Sequence, residues 1–184
     1  ASEEITSSLF GYGSFDLLSV KNSARALYFF ALGLPAFSLI KVFSSFLFAR
    51  HNTKTPFYFS LLSVFINIFI SVYYFNEIGF IIIPIATTVS SWINALLLFI
   101  YLYNNKYFFL DRKFILSFSK ILISAILASY FFYKSIMYFN HYLNYESEFK
   151  LPTIIFLVLV TIILYIIISI FTKAFKISDI KLKY

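Results

Sequence analysis

The sequence predicts an all-α fold, a polytopic membrane helix bundle with about five transmembrane helices. Of its 184 residues, 61% are hydrophobic and only 12% are charged, whereas about a quarter of a soluble domain is charged. The mean hydropathy is +0.86. Long apolar runs also alternate with short polar connections, as expected of helices that cross a bilayer repeatedly.

Five apolar runs each approach or exceed the roughly 20 residues that a helix needs to cross about 30 Å of hydrocarbon. They are 24–48, 56–75, 79–103, 114–139 and 152–174. Pro56 and Pro152 each lie at a helix start, where a backbone amide has no helical partner. The short turn at 76–78 predicts that the second and third helices form a tight antiparallel pair.

The remaining segments complete the predicted organisation. Because the chain does not begin with Met, it is expected to be a fragment, with an outer-side loop and the end of a preceding helix over 1–22. The other predicted parts are three helices in 23–103, a cytoplasmic loop at 104–113, two C-terminal helices in 114–175, and a basic cytoplasmic tail at 176–184.

The distribution of Lys and Arg predicts the orientation. The 49–55 hairpin, the 104–113 loop and the tail are rich in these residues. The 76–78 turn has none, and the 140–151 loop sets Lys150 against two glutamates. Because cytoplasmic loops carry the excess of positive charge, the three basic connections and the C-terminus are expected in the cytoplasm.

The same composition excludes several classes of function. The chain has no cysteine, which excludes disulfides and thiolate metal sites. The formal charge of +7 is scattered at the ends of apolar runs, so nucleic acid is not an expected partner. His51 and His141 lie in predicted loops without a second metal ligand, and the GYG at 11–13 lacks a nucleotide-binding pattern. We therefore expect no enzyme and no metal site.

Residues 31–56, ALGLPAFSLIKVFSSFLFARHNTKTP, are the most informative stretch. Pro35 cannot donate a hydrogen bond to the Ala31 carbonyl, so a helix interrupted and kinked at Gly33 and Pro35 is predicted. A freed carbonyl costs several kcal/mol in hydrocarbon, so a break needs cover from protein or a water-filled cavity. Such broken helices commonly mark the substrate pathway of transporters, although an ordinary packing kink fits equally well.

Lys41 lies about a turn and a half beyond Pro35, inside the same apolar run. A charged side chain at this depth is costly unless it faces water, a partner or a ligand. Two interpretations stay open. Lys41 either faces a hydrophilic cavity, where it meets an anionic ligand or a carboxylate, or snorkels to the interface.

Polar residues form a stripe on each of the second and third predicted helices. Spacings of three and four place each set on one helix face. The stripes are Ser60, Ser63, Asn67 and Ser71 on one helix and Thr87, Ser91 and Asn94 on the other. They are expected to face each other or to share a cavity, either as hydrogen bonds between helices or as the lining for an ion or substrate.

Four motifs resemble the C-terminal part of the MurJ (MviN) lipid II flippase family, within the multidrug, oligosaccharidyl-lipid and polysaccharide exporter superfamily. They are LFGYGSF at 9–15, ALGLPAFSLIKV at 31–42, FARHNTKTP at 48–56 and GFIIIPIATTVSSWINALLL at 79–98. The likeness is specific through about residue 103 and architectural beyond it. Members have fourteen helices, so the five here would be the tenth to the fourteenth.

The resemblance implies a flippase that moves lipid II, the undecaprenyl-linked peptidoglycan precursor, from the cytoplasmic to the outer leaflet of the bacterial cytoplasmic (inner) membrane by alternating access. It implies a substrate cavity that includes Gly33, Pro35, Ser38 and Lys41. The last two helices would form a groove for the prenyl tail. The implied partners are lipid II, membrane lipids and an N-terminal lobe of the same protein.

Some members are thought to couple transport to sodium. The matching positions here are Asn67, Ser71, the Ile83 carbonyl and Thr87, but Ser71 stands where such members have a carboxylate. Sodium or membrane-potential coupling is therefore an open expectation, and no other cofactor is expected. The alternatives are an O-antigen or polysaccharide-lipid flippase, a multidrug exporter of the same superfamily, or a non-transporting membrane scaffold.

Overall fold

The computed structural model describes residues 1–108 and 111–174, apart from the side chain of Lys113, and these residues form an all-α structure. The predicted tail at 176–184 lies outside the described residues, as do 109 and 110 of the predicted loop. The helices are α1 (Ser2–Phe10), α2 (Leu17–Ala49), α3 (Lys54–Ile78), α4 (Ile82–Asn104), α5 (Arg112–Tyr138), α6 (Asn140–Leu143) and α7 (Lys150–Phe171). A 3₁₀ turn, Gly79–Ile81, joins α3 to α4.

Four helical stretches of the described chain are long and apolar enough to cross a membrane. They are Leu17–Ala49, Lys54–Asn104, Phe114–Tyr138 and Lys150–Phe171. The 51-residue second stretch contains both α3 and α4, joined through the 3₁₀ turn. The predicted all-α membrane bundle is confirmed.

The helices belong to two compact units. The first unit contains α1, the loop after it, α5, α6 and α7. The second unit contains α2 from Asn22 onward together with α3 and α4.

In the second unit, α3 and α4 are antiparallel neighbours. Side-chain hydrogen bonds join them at three levels: Asn94 to Ser60 at 3.3 Å, Asn67 to Thr87 at 3.1 Å, and Asn52, just before α3, to Tyr101 at 3.1 Å. This confirms the predicted tight pair and the facing polar stripes. The turn lies later than predicted, since 76–78 are helical and the chain reverses at Gly79, whose φ of 72° favours glycine.

The predicted interruption of the helix at Gly33 and Pro35 is wrong. Helix α2 runs without a break from Leu17 to Ala49, with Pro35 inside it. A proline removes only one backbone donor, and side chains of α4 donate to neighbouring carbonyls of the same turns. The helix thus continues through Pro35, and these turns are anchored to α4.

Helix α2 also starts earlier than the predicted residue 24. An Asp16 carboxylate oxygen accepts a hydrogen bond from the Ser19 amide at 2.8 Å, which satisfies one of the free donors at a helix start. Hydrogen bonds from Ser19, through its side chain first and its backbone second, lower the pKa of Asp16. The carboxylate thus stays ionised and able to cap α2.

The core of the second unit joins α2 to α4. Phe43 and Leu47 of α2 pack with Leu98 and Leu102 of α4, and all four are buried. These residues recur at spacings of four on each helix, so each set forms one apolar stripe. The stripe fixes which face of α2 turns toward α4.

The first unit is centred on α5 and α7. Ile136 of α5 packs with Ile154 and Leu157 of α7 and with Leu143 of α6, and all four are buried. Near the middle of α5, the hydroxyl group of Ser124 lies 3.2 Å from that of Thr172, just after the end of α7. The two helices are therefore antiparallel.

Lys150, which begins α7, is only 3% exposed. Its ammonium group donates to the carbonyls of Gly11 at 2.6 Å and Tyr145 at 2.7 Å. The same nitrogen lies 4.2 Å from the centre of the Tyr12 ring and 4.7 Å from that of Tyr145. Two carbonyls and two aromatic faces thus stabilise a buried cation, and Lys150 fastens the 11–15 loop to the start of α7.

We expect Lys150→Met to lower the free energy of unfolding by about 2 kcal/mol, since each carbonyl would lose a charge-assisted hydrogen bond. Equilibrium unfolding in detergent measures this loss. Lys134→Met is the matched control, because Lys134 is exposed and its nitrogen is 5.7 Å from the centre of the Tyr130 ring. Equal losses in the two variants would contradict a fastening role for Lys150.

Candidate functional site

Helix α2 approaches α4 closely around Gly33. A Cβ placed on Gly33 would lie 3.2 Å from the Thr88 hydroxyl oxygen and 3.2 Å from a carbon of the Phe37 ring. Both distances are tighter than most Cβ contacts, and the contact with Thr88 means that α4 would have to shift to accept a side chain at this position. Ala36, one turn later on this face, is fully buried. Small residues therefore bring the proline-containing turns of α2 within hydrogen-bonding distance of α4.

Two side chains of α4 donate to the backbone of α2 just before Pro35. The Thr88 hydroxyl donates to the Phe29 carbonyl at 2.6 Å, and the Trp92 indole nitrogen donates to the Leu32 carbonyl at 3.0 Å. Pro35 has no backbone N–H, so these turns lack one hydrogen bond, and hydrocarbon contains no water that could replace the missing donor. Thr88 and Trp92 thus tie the disturbed segment to a neighbouring helix.

The opposite face of α2 carries Lys41 and Ser38, which are three residues apart and exposed. The Ser38 hydroxyl donates to the Leu34 carbonyl of its own helix at 3.1 Å. Among the described residues, Lys41 has no hydrogen bond or ion pair. Its ammonium group is therefore free to meet an anion presented to this face.

The predicted cavity residues do not all share this face. Lys41, Ser38 and Pro35 are exposed and follow one another at intervals of three residues. Gly33 is buried against α4 instead, where it permits the close approach. The structure therefore places Gly33 at the contact with α4 and the other three residues on the exposed face of α2.

The predicted cation-site residues lie close together between α3 and α4. The Asn67 amide donates to the Thr87 hydroxyl at 3.1 Å and to the Ser90 hydroxyl at 3.4 Å. The Thr87 hydroxyl in turn donates to the Ile83 carbonyl at 2.8 Å. The Ser71 hydroxyl is buried and makes no hydrogen bond within the described chain.

Two more polar atoms between α3 and α4 have no hydrogen-bond partner in the described chain. The Ser63 hydroxyl and the Asn94 side-chain oxygen are both buried and unpaired. The described residues contain no cluster of three His, Asp or Glu side chains able to hold a metal ion. Any ion bound between α3 and α4 would therefore meet neutral hydroxyl and amide oxygens.

Helices α5 and α7 border a groove of about 260 Å³. Small residues of α5, Ala125, Ala128 and Ser129, form one side of it. Ile162 and Tyr165 of α7 form the other. Phe132 and Thr161 complete this lining, which is mainly apolar and so suits a hydrocarbon chain.

Sequence reasoning missed Thr88, Trp92 and Lys150. Trp92 is the only tryptophan, and a tryptophan in an apolar helix needs an acceptor for its indole N–H. That requirement was a usable signal, but it does not identify the acceptor. Lys150 was counted as a charge of the predicted 140–151 loop, whereas the structure places it, buried, at the start of α7.

We expect Thr88→Val to lower the free energy of unfolding by about 1 kcal/mol, because the change keeps the shape but removes the donor to Phe29. Equilibrium unfolding in detergent provides the measurement. Thr161→Val is the matched control, since that hydroxyl donates only within α7, to the Leu157 carbonyl. A Thr88→Val loss no larger than that of the control would show that the bond between helices contributes nothing.

Comparison with known proteins identifies the chain's family. The family described as "Lipid II flippase MurJ" matches residues 1–154. A probable lipid II flippase MurJ of Thermotoga maritima is 33% identical over 180 residues, which are 98% of this chain and 34% of that protein. The corresponding protein of Rhizobium meliloti is 41% identical over 98 residues, 53% of this chain and 18% of the relative.

A further relative, the probable lipid II flippase MurJ of Rickettsia prowazekii, is 32% identical over 128 residues. These are 70% of this chain and 25% of the relative. The chain thus spans about a third or less of the length of the curated relatives that it matches. Because the family match covers most of its residues, the chain is a multi-pass membrane protein that belongs to the lipid II flippase MurJ family of transporters.

Proposed function

We propose that this chain forms the C-terminal part of a transporter that moves lipid II from the cytoplasmic to the outer leaflet of the bacterial inner membrane. The observation that carries the proposal is the family match over residues 1–154, together with relatives named as probable lipid II flippases. Its role is to bind and carry a lipid, not to catalyse a reaction. Its further partner is an N-terminal lobe of the same protein.

The exposed face of α2 supports this role through its charge. Lipid II carries a pyrophosphate, and Lys41 offers an ammonium group with no competing carboxylate among the described residues. A cation on a face not packed against α3 or α4 suits an anionic head group that must bind and then leave. Lys41 is thus the proposed pyrophosphate contact, flanked by Ser38 and Pro35.

The groove between α5 and α7 supports the same proposal through its shape. Its walls are mainly apolar, and small residues of α5 keep it open. A polyprenyl tail can lie in such a groove while the head group crosses the membrane. We propose that α5 and α7 hold the prenyl tail.

The energy source is a separate part of the proposal. The polar atoms of Asn67, Thr87 and Ile83 already bond to one another, and Ser71 supplies a hydroxyl where a carboxylate would bind sodium more strongly. We propose coupling to the membrane potential, with any sodium at this cluster bound weakly. The cluster then serves mainly to join α3 to α4.

We expect Lys41→Ala to abolish rescue when the full-length parent gene replaces the lipid II flippase of depleted cells. Loss of a charge-assisted contact, worth about 1.5–3 kcal/mol, should weaken cargo binding at least about tenfold. Lys41→Arg should keep partial function, since it retains the charge. Lys106→Ala, at an exposed lysine between α4 and α5, is the control and should rescue fully.

Three other results would contradict parts of this proposal. A parent protein that inserts normally but never rescues would remove lipid II as cargo and favour another exporter of the superfamily. Rescue by Lys41→Ala at equal expression would keep the flippase but remove the role of Lys41. Failure of Lys106→Ala would indicate that general charge loss explains the defect.

We also propose that α2 and α4 end, and α5 begins, at the cytoplasmic face, as the basic connections indicate. The chain has no native cysteine, so single reporters can be placed without background. In right-side-out spheroplasts, an impermeant maleimide should label His141→Cys and should label Lys106→Cys only after lysis. Both positions are exposed, and the reverse labelling pattern would overturn the orientation.

A further inference from the structure

A second groove lies in the other unit, where α2 ends and α3 begins. Its volume is about 630 Å³. Ser44 and Phe48 of α2 and Pro56, Phe57 and Ser60 of α3 line it. The aromatic residues of its walls, Phe48 and Phe57, are 51% and 63% exposed. The groove is therefore open at its side and is not an enclosed cavity. A groove of this form suits a chain-like apolar ligand that enters from the bilayer.

The charge at this groove comes from Lys54, which also lines it. The 49–55 hairpin has two permanent cations and no Asp or Glu. The other cation, Arg50, is already held between two rings, 4.9 Å from the centre of Phe46 and 4.4 Å from that of Tyr107. Lys54 is exposed and has no ion pair among the described residues, so it can bind an anion.

The groove lies where one candidate membrane-spanning stretch ends and the next begins. The first ends at Ala49 and the second begins at Lys54, so the lysine is expected near the level of the lipid head groups. Basic pockets between transmembrane helices near a membrane surface are typical sites for anionic lipid head groups.

We propose that this groove binds one anionic phospholipid, with its phosphate on Lys54 and an acyl chain along Phe48 and Phe57. A soluble anion would use Lys54 but gain nothing from the aromatic walls. A zwitterionic phospholipid would use the walls but bring its own cation to the lysine. The combination of one free cation and an open apolar groove fits a lipid that carries net negative charge. The proposed phosphate contact here is Lys54, a different residue from Lys41, the proposed pyrophosphate contact of the cargo.

The test places the full chain in nanodiscs of phosphatidylcholine alone, or of equal parts phosphatidylcholine and phosphatidylglycerol, and measures retained lipid by native mass spectrometry. We expect one tightly retained phosphatidylglycerol and about fivefold weaker retention in Lys54→Gln, from the contribution of one lysine near a membrane surface. Lys106→Gln is the control, because Tyr101 bonds to Asn52 and so places the end of α4 at the same level. Equal retention by these two variants would overturn the role of Lys54.

A second pair of variants tests the groove itself. Ser44→Phe should fill it and reduce retention of phosphatidylglycerol, whereas Val42→Phe adds similar bulk at a position outside the groove that is 63% exposed. Displacement of the lipid by soluble glycerol phosphate would show that the acyl chain does not contribute. Equal retention of phosphatidylcholine, or a groove occupied by a copurifying protein helix instead, would overturn the proposal.

Discussion

The structure depends on one constraint, which is that hydrocarbon cannot hydrogen-bond to a backbone carbonyl. Pro35 disturbs the hydrogen-bond ladder of α2 in the middle of a membrane-spanning stretch. Thr88 and Trp92 of α4 donate to the Phe29 and Leu32 carbonyls, which lie on either side of the Ala31 carbonyl that loses its helical donor at Pro35, and so anchor these turns to α4. Gly33 favours this close approach, because an added Cβ would lie 3.2 Å from the Thr88 hydroxyl oxygen. Proline, glycine and the two donors therefore act together, and they fix the rotation of α2 about its own axis.

Polar side chains between α3 and α4 also need hydrogen-bond partners in hydrocarbon, and several find them within this helix pair. Asn67, Thr87 and the Ile83 carbonyl bond in series, and Asn94 bonds to Ser60. Such bonds are individually modest, about 0.6 kcal/mol each on average, because the unfolded chain in a membrane also finds partners. Their repetition along the seam specifies the register of the two helices. The unpaired oxygens of Ser63, Ser71 and Asn94 show that the seam is not fully satisfied by protein atoms in the described chain.

Sequence reasoning predicted the features that depend on local pattern. The apolar runs gave the long helices, and spacings of three and four correctly predicted that the polar stripes of α3 and α4 face each other. It failed where a partner distant in sequence decides the outcome. Pro35 was predicted to interrupt α2, but residues 88 and 92 anchor the turns around it, and their proximity depends on the packing of α2 against α4. Lys150 was not recognised as buried for the same reason, since its acceptors at Gly11 and Tyr145 meet only after the first unit folds.

The rotation of α2 also bears on the two interpretations of Lys41. Phe43 and Leu47 turn toward α4, so Lys41 must turn away from it. The helix continues from Lys41 to Ala49, a rise of about 12 Å, which is farther than a lysine side chain extends. Snorkelling to the end of α2 therefore does not bring the ammonium group past the helix, and an uncompensated lysine deep in lipid costs about 2.5–3.5 kcal/mol or more. A polar environment or an anionic ligand on this face removes that cost. The packing of Phe43 and Leu47 against α4 thus favours a polar environment or an anionic ligand at Lys41 itself.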